Sequence, residues 1–258
     1  MEPKFITNYP SVLVKDKLVI ADLHIGIEFE FYESGIKIPS NIDKIEKAIE
    51  KLIKMTRAKT ILILGDVKHK VPGITKQELR EIPEFFSMLA EKVTIEIVPG
   101  NHDGALKKYL PENEKIKLYP SKGFLFGKFY FLHGHTWPSK EFLKAKYVFI
   151  GHEHPQIEFR DALGYRFTEQ VWIRAKLSEE KIIKKYKEIP NKLPELIIVP
   201  HFNRLCGGIS MNSPLDEIEK RHKVYHTGIG PLVRCANLEK AKIYLLDGTF
   251  LGELKNLL

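Results

Sequence analysis

The sequence predicts an α/β protein in which two β-sheets face each other. Through the first 150 residues, helical and strand-like apolar segments alternate, which is typical of layered α/β domains. From residue 124 onward, strand candidates become more frequent and few helical segments lie between them. The chain has 258 residues, 43% of them hydrophobic, enough for one large core or two small ones. We expect a single domain over residues 1–258. It has a ligand-bearing part at 1–155, which contains the candidate site residues, and a β-rich part at 156–258.

In the ligand-bearing part, the apolar pattern predicts each element in turn. Residues 11–14 and 18–21 predict a hairpin. Asn41 is a candidate N-cap for a helix from residue 42, because the apolar residues that follow it fall on one face. A buried strand is predicted at 60–64, a helix near 76–90 whose course Pro83 disturbs, and a returning strand at 93–98.

Predicted strands become more frequent before residue 150 and remain so to the end of the chain. Strands at 124–126 and 129–132 surround a Gly127-Lys128 turn, and Asp247-Gly248 joins the last two strand candidates. The lysine-rich segment 178–192 is interpreted as a solvated helix and loop. The remaining strand candidates are 147–150, 157–159, 165–173, 196–199, 243–246 and 249–254.

Basic residues outnumber acidic ones, and this excess favours anionic partners. Lys and Arg total 41 against 33 Asp and Glu, a formal charge of +8. Nucleotides, nucleic acids and phosphorylated metabolites are the candidate partners. The alternative interpretation is a lysine-rich surface with many ion pairs and no such ligand, as in heat-adapted proteins.

Cysteine content and hydropathy predict the compartment. The two cysteines, Cys206 and Cys235, are too few for a disulfide framework, so both are expected to be reduced thiols. The start of the chain has no basic and apolar leader, and no apolar run approaches the roughly 20 residues that a bilayer span needs. We therefore expect a soluble, cytoplasmic protein with no membrane partner.

Side chains that commonly bind metals follow five of the predicted strands. Open α/β sheets place their functional sites at these carboxyl ends. Each fragment alone is weak evidence, because a single histidine there is more often hydrogen-bonded in the core or solvated. Residues two apart on an extended backbone point the same way, which predicts that Asp22 and His24 share a side. The residues are Asp22, His24, Asp66, His69, Asn101, His102, Asp103, His133, His135, His152 and His154.

The order of these fragments resembles the calcineurin-like metallophosphoesterase superfamily. The matching motifs are Asp22-x-His24, Gly65-Asp66, Gly100-Asn101-His102-Asp103, a histidine followed by glycine, and Gly151-His152-x-His154, spanning about half of the chain. The runs Ala21-Asp22-Leu23-His24-Ile25-Gly26 and Leu64-Gly65-Asp66-Val67-Lys68-His69, with a late Pro200 and Gly207-Gly208, look like the ICC-like group that includes DNA ligase-associated phosphoesterases. This resemblance implies a four-layer α-β-β-α sandwich of two facing mixed sheets.

The resemblance also implies a pair of divalent metal ions. One would take Asp22, His24, Asp66 and His154, and the other Asp66, Asn101, His133 and His152, so that Asp66 bridges. His133 is preferred over His135, although strand alternation allows either. Mn is the expected metal, with Fe, Zn and Ni as alternatives, because such mixed ligands suit them better than Ca. His102 would stabilise the transition state or protonate the leaving alkoxide, with Asp103 orienting it.

The implied activity is hydrolysis of phosphate esters, chiefly phosphodiesters of nucleotides or nucleic acid, by a metal-bridging hydroxide. A nuclease acting on DNA or RNA ends is an alternative that the charge favours. A non-catalytic binding scaffold is a second alternative, which the complete ligand set disfavours. His69 is expected to contact a metal ligand or the substrate, or else to lie in a solvated loop. His201, Asn203 and Arg204 either reach a substrate phosphate or form a plain loop. The sequence leaves the oligomeric state open.

Overall fold

Two mixed β-sheets organise the chain in the computed structural model, which describes residues 2–188, 191–213 and 229–258. Six strands of the described residues form the first sheet, in the order β1-β2-β3-β4-β5-β6. The pairs β1–β2 and β2–β3 are antiparallel, whereas β3 to β6 run parallel. The strands are β1 (Lys4–Phe5), β2 (Val12–Val14), β3 (Lys17–Ala21), β4 (Thr60–Leu64), β5 (Thr94–Val98) and β6 (Ile116–Leu118).

Three helices connect these strands: α1 (Glu28–Glu33), α2 (Ile42–Thr56) and α3 (Lys76–Lys92). The α3 helix begins with a capping box, in which Thr75 and Glu78 each bind the other's backbone N–H. The α2 helix follows Asn41 as predicted. The Asn41 side chain makes no capping bond, however, and its amide donates instead to Asn203 Oδ1 at 3.0 Å. The capping role expected of Asn41 is therefore wrong.

The second sheet contains nine strands among the described residues, seven of them in the order β13-β10-β11-β12-β9-β8-β7. The strands β14 and β15 extend it through pairing of β14 with β11. Parallel pairs are β8–β9, β9–β12 and β10–β13. The strands are β7 (Phe124–Phe126), β8 (Phe129–Phe131), β9 (Tyr147–Ile150), β10 (Pro155–Arg160), β11 (Arg166–Lys176), β12 (Glu195–Ile198), β13 (Ile209–Ser210), β14 (Lys242–Leu245) and β15 (Phe250–Glu253). Helices α4 (Glu179–Tyr186) and α5 (Pro231–Arg234) accompany this sheet.

Alternating side chains along β3 show how the layers stack. Val19 and Ala21 pack into the core that includes the second sheet, whereas Leu18 and Ile20 pack with α2 and α3. On the far face of the second sheet, Ile182 and Tyr186 of α4 pack into the same core as residues of its strands, such as Phe149 and Leu196. Each sheet thus has helices on one face and the other sheet on its opposite face. The predicted arrangement of two facing mixed sheets between helical layers is confirmed.

Most predicted elements lie within a few residues of their expected places. The differences are short elements, namely α1, α5, β1, β6 and β13, whose two to six residues give little periodic signal. The segment 178–192 contains α4, but Ile182 and Tyr186 are buried in the core, so the helix is only partly solvated. Residues 189 and 190 of that segment lie outside the described residues. Along the described residues, no helix is both long and apolar enough to cross a bilayer.

Candidate metal centre

Five strand ends meet at one edge of the sandwich. The strands β3, β4 and β5 are parallel neighbours in the first sheet, and β8 and β9 are parallel neighbours in the second. Their carboxyl ends bring together two groups of potential ligands whose donor atoms lie within 4.8 Å of one another. One group is Asp22, His24 and Asp66, and the other is Asp66, His133 and His152. Asp66 belongs to both groups.

The first group surrounds a buried ring nitrogen. His24 Nε2 lies 3.6 Å from Asp66 Oδ2, and His154 Nε2 lies 3.6 Å from Asp22 Oδ1. His24 is 4% exposed, and within the described part of the chain its Nε2 has no hydrogen-bond partner. A buried polar atom without a partner is costly. A cation bound between His24 and these carboxylates would satisfy it.

The second group is centred on His133, which is fully buried. Its Nε2 lies 3.4 Å from Asp66 Oδ2, 3.1 Å from Asn101 Oδ1 and 3.2 Å from His152 Nδ1. The ring of His135 lies beside that of His133, with centroids 5.3 Å apart. Among the described residues, His135 belongs to none of the groups of potential ligands. The geometry thus favours His133 over His135 at this position.

The backbone at the site is not extended. Asp22 has φ +58° and His24 φ +41°, and Asp66, His152 and His154 also have positive φ. The left-handed region is unfavourable for residues with a β-carbon, and such strain concentrates at functional sites. Asp22 and His24 therefore reach one site through a turn in which both are left-handed. The prediction that extended alternation aligns them is wrong, although both side chains do face the site.

Two glycines, Gly100 and Gly151, allow the backbone to lie close to the carboxylates of the site. A β-carbon on Gly100 would overlap the Asp66 carboxylate, and one on Gly151 would lie 2.7 Å from Asp22 Oδ2. Any larger residue at either position would displace a carboxylate from the site. Close packing thus explains why the motifs Gly100-Asn101-His102 and Gly151-His152 begin with glycine.

Backbone carbonyls fix which nitrogen of two histidines faces the site. His133 Nδ1 lies 2.8 Å from the carbonyl oxygen of Leu64, and His154 Nδ1 lies 3.0 Å from that of Gly207. A carbonyl only accepts, so Nδ1 carries the proton and donates in both cases. The Nε2 atoms are left to face the carboxylates. This is the usual way in which proteins orient histidine ligands of metals.

The electrostatics of the site also suits a cation. Burial opposes ionisation of Asp66, but His133, His24 and His102 outweigh it and hold the Asp66 pKa well below its ordinary value. Burial, reinforced by the neighbouring histidines, lowers the pKa of His24, so this ring is neutral. Burial alone would lower the pKa of His133, but the Asp66 and Asp22 carboxylates outweigh it and raise this pKa to about 10. The proton on His133 is the charge that a divalent ion would replace, since histidines bind metals in the neutral form.

His102 lies at the mouth of the site, and His69 rather than Asp103 orients it. His102 Nε2 lies 4.0 Å from Asp66 Oδ2, and its Nδ1 lies 2.5 Å from the carbonyl oxygen of His69. The Asp103 carboxylate instead accepts backbone N–H groups of Val67 and Gly100 at 2.8 and 2.9 Å. The expected contact of Asp103 with the His102 ring is therefore wrong. Asp103 joins the loops after β4 and β5.

His69 lies beside the first group of ligands, and its ring contacts those of His24 and His102. Its Nδ1 lies 3.2 Å from His24 Nδ1, and its Nε2 lies 2.7 Å from Glu30 Oε2. Together His24, His69 and His102 form a third group of potential ligands. Glu30 of α1 was missed in the sequence, because no strand end or motif marks it.

The late loop that follows β12 holds the first group in place. His201 and Asn203 are each 1% exposed, and Asn203 binds backbone and Asn41. The His201 ring lies 5.0 Å from that of His154, measured between centroids. Arg204 is exposed. Burial thus makes His201 and Asn203 structural neighbours of the ligands, whereas the Arg204 side chain faces solvent.

The chain is similar to known proteins in sequence and in fold. Residues 17–171 match the family model described as calcineurin-like phosphoesterase. The structure is similar to the nuclease MPE of Pseudomonas putida, with a TM-score of 0.56, 15% identity, and coverage of 95% of this chain and 98% of that one. YfcE, a phosphoesterase from E. coli, gives a TM-score of 0.35 and 17% identity, covering 57% of this chain and 74% of that one. No curated protein matches the sequence.

Proposed function

Because the chain belongs to the calcineurin-like phosphoesterase family, we propose that it hydrolyses phosphate esters with the help of two divalent metal ions. The observation that carries this proposal is the position of Asp66. Its Oδ2 lies 3.6 Å from His24 Nε2 on one side and 3.4 Å from His133 Nε2 on the other. A carboxylate between two sets of donors is suited to bridging two ions.

The chain offers a complete set of ligands for such a pair. One ion would be held by Asp22, His24, Asp66 and His154, and the other by Asp66, Asn101, His133 and His152. The mixture of carboxylate, amide and imidazole donors favours Mn, with Fe, Zn or Ni as alternatives. When bound, such ions supply a water molecule of lowered pKa and neutralise charge on a phosphate.

His102 is the proposed acid. Its Nδ1–H donates to the His69 carbonyl, so the ring is fixed and Nε2 points towards the site. A proton carried on Nε2 can be transferred to the alkoxide oxygen that departs from phosphorus. The backbone N–H of His102 donates to Asp66 Oδ1 at 2.9 Å, which ties the position of the acid to that of the bridging carboxylate.

The proposed substrates are phosphodiesters of nucleotides or nucleic acid. The net charge of +8 favours an anionic substrate. Action on nucleic acid as a nuclease is the second candidate. It is supported by the same charge and by the likeness in fold to the nuclease MPE along nearly the whole chain.

A substrate panel with purified, Mn-loaded protein tests the proposal. The panel contains bis-p-nitrophenyl phosphate, p-nitrophenyl phosphate, cyclic nucleotides, and single-stranded and duplex DNA, with Asp66→Ala as the matched inactive variant. We expect turnover of diesters that Asp66→Ala lacks. Turnover of DNA that falls steeply with added salt would favour the nuclease, since polyanion binding releases counterions.

Three results would count against the proposal. Turnover of monoesters alone would contradict the diester preference. Equal activity of wild type and Asp66→Ala would show that a contaminant or another site is responsible. A metal-loaded protein that is inert towards every ester of the panel, including DNA, would contradict the enzymatic function itself.

A further inference from the structure

A thiol lies beside the first group of ligands. The sulfur of Cys206 and ring nitrogens of His24 and His154 lie within 4.8 Å of one another. Cys206 is 6% exposed and is a free thiol. We infer that Cys206 is a further ligand of the ion held by Asp22, His24 and His154, so that the two metal positions differ in chemistry. This inference rests on the proposed function.

Backbone hydrogen bonds fix the position of this thiol. The N–H of Cys206 donates to the carbonyl of Asn203 at 3.1 Å, and the N–H of Phe202 donates to the carbonyl of Ala21 at 2.8 Å. The next residue, Gly207, provides the carbonyl that lies 3.0 Å from His154 Nδ1. The same short loop therefore orients His154 and places the sulfur beside it.

A second observation points to a ligand between these side chains. His24 is buried, and in the described part of the chain its Nε2 lacks a hydrogen-bond partner. Histidine and cysteine together are typical ligands of transition metals, and a cation between them would satisfy this nitrogen.

The other cysteine provides a contrast. Cys235 is also 6% exposed, but it follows α5 and lies near Lys181 and Arg234. Among the described residues it belongs to none of the groups of potential ligands. Burial alone therefore does not distinguish the two thiols, whereas their surroundings do.

Coordination by sulfur would give the two positions different preferences. The thiol of Cys206 would lose its proton to solvent, and the thiolate would donate an electron pair to the ion. Thiolate is a soft ligand that favours Zn, Fe or Co over Mn. The position of Asn101, His133 and His152 offers oxygen and nitrogen donors. The expected centre therefore carries a softer ion beside Cys206 and a harder one beside Asn101.

Cobalt spectroscopy tests this inference without relying on turnover. Wild type, Cys206→Ser and the control Cys235→Ser are stripped of metal with a chelator and titrated with Co(II). Wild type and Cys235→Ser should show both the visible bands of bound Co(II) and the near-ultraviolet charge-transfer band of a cobalt–thiolate bond. Cys206→Ser should keep the visible bands and lose the charge-transfer band.

A measurement on wild type alone covers the case in which Cys206→Ser does not fold. X-ray absorption of the Zn-loaded protein should show a sulfur scatterer at about 2.3 Å in addition to nitrogen and oxygen. Visible bands without a charge-transfer band in wild type, or zinc without sulfur, would overturn the role of Cys206 and leave the proposed function intact. Failure of wild type to bind any Co(II) or Zn would instead overturn the metal centre on which the inference rests.

Discussion

The side-chain amide of Asn203 donates a hydrogen bond of 2.8 Å to the carbonyl oxygen of Leu23, the residue between Asp22 and His24. The carbonyl oxygen of the same amide accepts from Asn41 Nδ2 and from the backbone N–H of Leu205, each at 3.0 Å. One buried side chain thus connects the start of α2, the ligand-bearing turn after β3 and the late loop. Since Asp22 and His24 both have left-handed backbone, Asn203 stabilises a turn that is locally unfavourable.

We therefore predict that Asn203→Ala loosens the turn that carries Asp22 and His24. Loss of the bonds to Leu23 and Asn41 should lower the free energy of unfolding by about 1–3 kcal/mol, as buried polar groups are left without partners. Metal affinity should fall about tenfold or more, the usual effect of removing a residue that orients ligands. Denaturant unfolding with chelator present and calorimetric titration with Mn measure the two effects.

Asn212→Ala is the matched control for this variant. Asn212 also donates to backbone carbonyls, those of Glu158 and Leu257, at 2.9 and 3.2 Å. Its bonds do not involve the turn that carries Asp22 and His24, so its loss should reduce stability and leave metal affinity unchanged. Equal losses of metal affinity in both variants would show that Asn203 acts through general stability rather than through the ligands.

Asp66→Ala should abolish binding of both ions. The Asp66 carboxylate lies between His24 and His133, and its other oxygen accepts the backbone N–H of His102. Metal content of the dialysed protein, measured by mass spectrometry, should fall from two equivalents per chain to close to none. Thermal unfolding checks that the variant is folded. An Asp66→Ala protein that retains two equivalents would show that the bridging assignment is wrong.

His102→Ala should keep the metals and lose activity. The backbone N–H that donates to Asp66 remains in this variant, so the ligands are undisturbed. Removal of a general acid typically costs about 100-fold or more in rate. Metal content and kcat on a diester substrate are the two measurements. Unchanged kcat would remove His102 from the proposed proton transfer, whereas loss of metal would assign it to the ligand shell.

The sequence predicted the strands and their polar ends because both are local signals. The apolar run at Thr60–Leu64 and the polar residues after it are read from a few neighbouring positions. The contact of Asn203 with Leu23 joins residues 180 positions apart through a backbone carbonyl, which leaves no pattern in the sequence.

Two further features were beyond sequence reasoning for related reasons. The left-handed backbone of Asp22 depends on tertiary contacts, such as the N–H of His152 that donates to its carboxylate at 3.2 Å. The proximity of Cys206 to His24 depends on how the late loop folds back on β3. In both cases the determining partner is distant in sequence, so local residue preferences could not indicate it.

Glu153 should make stability depend on pH. It is 1% exposed, and burial raises its pKa from the ordinary 4.5 to about 7, although the N–H of Gly230 donates to its carboxylate at 2.8 Å. A raised pKa in the folded state means that this group's contribution to stability is complete below pH 4.5 and is lost as pH rises through about 7. Wild type therefore loses stability over this window because the folded chain must ionise a buried carboxyl.

Glu153→Gln removes this ionisation and keeps an oxygen that can accept from Gly230. The free energy of unfolding of the variant relative to wild type should therefore rise as pH increases from about 4.5 to about 7 and then level off. The change across the window should be on the order of 3 kcal/mol. Denaturant unfolding of the chelator-treated proteins at a series of pH values measures it. Asp103, whose pKa burial and Asp66 raise to about 6, is common to both proteins, so their difference isolates Glu153. A difference that stays constant with pH would show that Glu153 ionises equally in the folded and unfolded chain.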